Sequence, residues 1–200
     1  MTPWGARLDT ITTALVRTIG RAPVEAMLEE EARRFGAPRP RAGVLQALDV
    51  ARLDWCIFDA ETAAGQGGIL NEYRDVWARL PVEHDWLRLA MASHVSVFDL
   101  DDAGQGVDLF SGAPVVFRLP ASLSSGVTRG LWEMRVVPGA RTLHVARPPR
   151  PVPVEVRAWA DAARRPGWRC VRPAPMERWL RAHRSWIAGG GRGPIAPLLG

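Results

Sequence analysis

The chain has 200 residues, is 47% hydrophobic and carries a formal net charge of +5. That length fits one domain, or one with appendages, and the composition is enough to build a core. All 26 cations are arginine, so a Walker A phosphate loop and a Schiff-base lysine are excluded. No run approaches 18 uncharged apolar residues, so no membrane span is expected. Residues 2–13 are interrupted by polar side chains and do not read as a secretory leader. A cytoplasmic protein is expected, with Cys56 and Cys170 as reduced, buried thiols.

The charge is uneven. Residues 1–50 carry net +1, residues 51–110 net −7 and residues 111–200 net +11. Two such blocks either fold against each other or face partners.

In chain order, Trp4, Leu8, Ile11, Leu15 and Ile19 recur at three and four after Thr2-Pro3, predicting a helix ended by Gly20. Pro23 opens a second helix, with Glu25, Glu29, Glu30 and Glu31 early and Arg33 and Arg34 late, matching the helix dipole. After an exposed loop at 37–43, a third helix is expected at 44–58. A fourth is expected at 69–78 and a fifth from Pro81. Near Ser93 the period changes to two: residues 94–100, HVSVFDL, alternate and are rich in β-branched and aromatic residues. Further strands are expected at 107–110, 113–119, 131–137 and 142–146. Five short strands separated by turns fit a small antiparallel barrel or a bent sheet.

Pro148, Pro149, Pro151 and Pro153 read as a rigid connector, followed by helices at 154–165 and 175–187. The expected fold is α+β, and its organisation is a helical region at 1–92 and a barrel at 93–147. A basic helical extension at 148–188 and a flexible tail at 189–200 complete it.

The segment from Leu53 to about Pro148 resembles a bacterial domain that occurs in proteins carrying a SEC-C zinc-binding motif. The landmarks are Asp54-Trp55-Cys56-Ile57-Phe58-Asp59, Ile69-Leu70-Asn71-Glu72-Tyr73, Ser93 to Leu100, and Val107-Asp108-Leu109-Phe110-Ser111-Gly112. The resemblance implies no particular reaction. Two cysteines 114 positions apart cannot supply the SEC-C cluster, so its zinc does not carry over.

Residues 95–102, VSVFDLDD, resemble the first motif of haloacid-dehalogenase-type phosphotransferases, where one Asp is the nucleophile and a second the acid/base. The Thr that should follow is missing, there is no Lys for the phosphoryl group, and no later acidic pair exists. A strand entering an Asp-rich turn is the simpler reading. The same residues fail as a calcium loop, because Phe110 stands where the closing Glu belongs. The scattered histidines have no metal spacing, and Cys56 lies in an apolar helix. No catalytic residue, metal or cofactor is therefore assigned.

The binding candidates lie in the basic half. Arg157, Arg164, Arg165, Arg169, Arg178, Arg181 and Arg184 alternate with Trp159 and Trp168 and suit nucleic acid or an acidic partner. In the tail, Ile195, Leu198 and Leu199 follow a glycine hinge, and three readings stand: docking in a partner's groove, disorder, or packing on their own domain. The expected role is an accessory or adaptor protein making protein contacts. A nucleic-acid-binding module is the alternative, and a hydrolase or phosphotransferase comes third.

Overall fold

The computed structural model describes residues 3–35, 45–65, 67–119, 126–164, 178–179, 181–183, 185–186, 194–195 and 197. The chain divides into two compact units. One comprises residues 1–9 and 92–172, the other residues 10–91 and 173–200.

The second unit is helical. Helix α1 (Pro3–Ile19) gives it its residues from Thr10 onward, with Ile11 and Leu15 wholly buried. Gly20, at φ 84°, stops α1 by returning its N–H to the Val16 carbonyl. Helices α2 (Ala22–Phe35) and α3 (Leu45–Phe58) pack on each other. Between them Arg52 Nε reaches the buried Glu31 carboxylate at 2.7 Å. The expected fourth helix is two pieces, α4 (Gly68–Glu72) and a 3-10 helix (Arg74–Arg79). The indole N–H of Trp77 takes the Leu70 carbonyl at 2.9 Å, satisfying the end of α4 with a side chain and letting the backbone turn. Helix α5 (His84–Met91) begins three residues after Pro81. Gly68, at φ 60°, lies against the end of α3, and a Cβ there would sit 2.5 Å from the Cys56 and Ile57 carbonyl oxygens. Trp179, Ala182 and His183 are buried and helical, while Arg178 and Arg181 are exposed, the amphipathic arrangement expected of that segment.

The first unit is the barrel. Its strands are β1 (His94–Leu100), β2 (Gln105–Asp108), β3 (Pro114–Arg118), β4 (Gly130–Pro138) and β5 (Leu143–Val145). They run in the order β1-β2-β3-β5-β4, closed by the β1–β4 pairing. The expected barrel was wholly antiparallel, whereas β3 and β5 are parallel. The reason is parity: five strands that alternate in direction cannot close without one parallel pair. The core is Phe98, Leu100, Phe117, Met134, Val136 and Val145, with the rings of Phe98 and Phe117 edge to face at 4.9 Å. The proline-rich connector contributes a two-residue strand, β6 (Arg150–Pro151), paired to β4. Helix α6 (Val156–Ala163) follows.

Counted by unit, the charge imbalance along the sequence largely disappears. The barrel unit carries net +4 and the helical unit net +1.

Candidate functional site

An open cleft of about 600 Å³ lies on the barrel unit. The end of β1, the β1–β2 turn, the start of β4 and α6 build it, through Asp99, Asp101, Asp102, Gln105, Arg129 and Arg157. Its Asp-rich sequence is explained locally. Asp101 Oδ1 accepts from the backbone N–H groups of Ala103 and Gln105, both at 2.9 Å, and Gly104 at φ 72° completes the turn. Asp99 pairs with Arg157 at 2.6 Å, and that bond holds the guanidinium's pKa above its ordinary value. The two carboxylates corresponding to the phosphotransferase motif are thus occupied, one by a turn and one by an arginine. Among the described residues no group of three His, Cys, Asp or Glu side chains is placed to hold a metal ion. Gly106 lines the cleft where β2 pairs with β1 at Leu100, and a Cβ there would lie 2.2 Å from the Asp99 carbonyl oxygen.

Sequence reasoning does not single out Gln105 or Arg129. Each is an isolated polar residue near a turn, and only barrel closure brings the start of β4 beside the β1–β2 turn.

Next to the cleft, residues 108–113 form a loop organised by Asp108, which is 3% exposed. Its Oδ1 accepts from Ser96 Oγ at 2.9 Å, Phe110 N–H at 2.9 Å and Ser111 N–H at 3.3 Å. Arg164 Nε donates to the Leu109 carbonyl at 3.1 Å, and Trp159 stands edge-on to Phe110 at 5.6 Å. Trp159 is therefore engaged as a packing residue, not presented as a stacking platform.

The other expected site residues are dispersed. Arg164 also pairs with Asp161 at 2.5 Å, and Arg181 donates to the Arg34 carbonyl. Arg178 is exposed. Ile195 is 0% exposed, so in this state it is not a surface ligand for a partner. Arg165, Arg169, Arg184, Leu198, Leu199, Trp168 and Cys170 lie outside the described residues. Burial pushes the Cys56 thiol up to about 12, so it is a protonated, poorly reactive thiol at neutral pH.

Fold and site together define an α+β chain built on a five-stranded mixed barrel with a charged cleft at one turn. Comparison with protein-family models, with curated proteins and with solved structures finds no match to this chain. No helix among the described residues is long and apolar enough to cross a membrane.

Proposed function

We propose that this protein is a non-catalytic accessory or adaptor protein that acts through protein–protein contact at the β2–β3 face. One observation carries this reading. Val107 and Val116 are 37% and 46% exposed, and Pro114 is exposed with them. The register pairs Val107 with Pro114 and Gln105 with Val116, which puts all four on one face. This apolar strip meets the cleft through Gln105 and Val107, with Asp101, Asp102 and Arg129 around it. An apolar centre with a charged rim is the anatomy of a protein contact.

Nucleic acid is the second reading, favoured by the exposed Arg178 and Arg181. Closed five-stranded barrels can bind oligonucleotides across their second and third strands. Such binding combines aromatic rings with cations. Here the β2–β3 face offers Gln105, Val107, Pro114, Val116 and Arg118, one cation and no ring.

The two readings separate experimentally. Under the adaptor reading, a co-purifying protein is retained by the native chain and lost by V107S/V116S at unchanged melting temperature. Retention by both would sink it. Under the alternative, single-stranded DNA binds at low salt with a steep salt dependence that R178A/R181A flattens.

A further inference from the structure

We propose that the β2–β3 face joins two copies of this chain in an isologous dimer, in which Asp102 of each copy meets Arg129 of the other. The proposal rests on the reading of that face as a protein contact and names its occupant.

The centre of the face is apolar. Val107, Pro114 and Val116 stand exposed on it, and the strand register sets them side by side. The charge around this strip decides what covers it. The cleft that continues the strip holds Asp99, Asp101, Asp102, Arg129 and Arg157. Asp99 and Arg157 satisfy each other at 2.6 Å. Asp101 is tied into its turn by the two backbone N–H groups that Oδ1 accepts.

Asp102 and Arg129 differ from these. Both are exposed and line the same cleft, yet they do not pair with each other. Among the described residues neither makes an ion pair or a hydrogen bond. Arg118 lies two residues beyond Val116 on the same face, is exposed, and makes no ion pair among the described residues. Its end of β3 reaches the same turn, because Phe117 N–H donates to the Gly104 carbonyl at 3.0 Å.

The patch therefore has an apolar centre, two carboxylates in one turn and two arginines around them. An acidic partner would face Asp101 and Asp102, and a basic one would face Arg118 and Arg129. Like charges set against each other across an interface are repulsive. A second copy carries both signs in equal number. An isologous contact brings residue i of one copy against j of the other, and j against i. One anion and one cation that stay apart within the chain thus become two intermolecular pairs. Those pairs fix the register, and the apolar strip supplies the burial. The strip is short, so the dimer is weak and concentration-dependent.

Sedimentation of the full chain at low salt, where rim charges are least screened, tests this. The expected mass rises from 22.0 kDa toward twice that value, with a midpoint at about 10–100 µM. D102R and R129D each set two like-charge pairs across the two-fold, and each alone should weaken association about tenfold or more at unchanged melting temperature. An equimolar mixture of D102R and R129D restores opposite charges at both contacts, and should recover association to within about threefold of native. V107S/V116S should remain monomeric. A native chain that stays at 22.0 kDa up to about 200 µM overturns the dimer, as does a mixture no better than either variant alone. A monomeric native chain whose co-purifying protein is lost by V107S/V116S refutes the second copy while the contact reading stands. Native-like association by V107S/V116S refutes the dimer at this face.

Discussion

Replacing Asp108 tests how the loop beside the cleft is held. Its Oδ1 accepts three hydrogen bonds, two at 2.9 Å and one at 3.3 Å, and the residue is 3% exposed. D108A leaves the Phe110 and Ser111 amides without this acceptor, whereas the Ser96 hydroxyl can rotate. A stranded buried donor costs about 1–3 kcal/mol, so two amides of unequal quality give about 3 kcal/mol. D108N keeps a carbonyl oxygen in place and should cost about 1 kcal/mol, the loss of charge assistance. Against a total stability of about 5–15 kcal/mol, the alanine effect is readily measured. Urea unfolding should show a lower midpoint at unchanged slope. The S96A/D108A pair should be non-additive by about 1 kcal/mol, because both singles remove one shared bond. D108A and D108N equal to each other, or both within about 0.5 kcal/mol of the native chain, the ordinary scatter of surface changes, would refute the reasoning.

Other sites give shorter tests. G68A combines φ 60° with a backbone contact of 2.5 Å and should cost more than about 2 kcal/mol, read as a fall in melting temperature. R52A removes a charged partner from the buried Glu31 carboxylate and should cost about 3–5 kcal/mol in urea unfolding, with R52K recovering part. A thiol pushed up to about 12 should leave Cys56 unlabelled by a maleimide in folded C170S at about pH 8 and labelled in urea; rapid labelling of folded C170S would contradict it.

The parts of the fold legible in sequence are those set by local periodicity. Leu8, Ile11 and Leu15 recur at helical spacing and are buried, and β1 spans the same seven residues that alternate in HVSVFDL. What escaped depends on closure. The parallel β3–β5 pair, and the meeting of Arg118 with His144, arise from a pairing that skips β4 in the order of strands. No window of sequence contains it. The break between α4 and the 3-10 helix is likewise a seven-residue reach by Trp77, invisible to a three-and-four pattern. The Asp-rich motif was legible as a turn because Asp101 bonds within four residues of itself.

The charge imbalance shows the same division between local and global. Read along the chain, −7 followed by +11 suggests two opposed surfaces. The boundary between the units falls at Met91–Ala92, inside the acidic block, and the C-terminal segment from Pro173 returns to the helical unit. Each unit therefore draws on both blocks, and +4 and +1 result. Individual pairs follow suit: Arg157 takes Asp99 from the acidic block, Arg147 takes Asp9 from the N-terminus, and Arg150 and Arg164 take Glu133 and Asp161 from within the basic block. The +11 block is consequently not one basic unit here. Non-specific attraction to a polyanion depends on cations clustered on one face rather than on the chain's total.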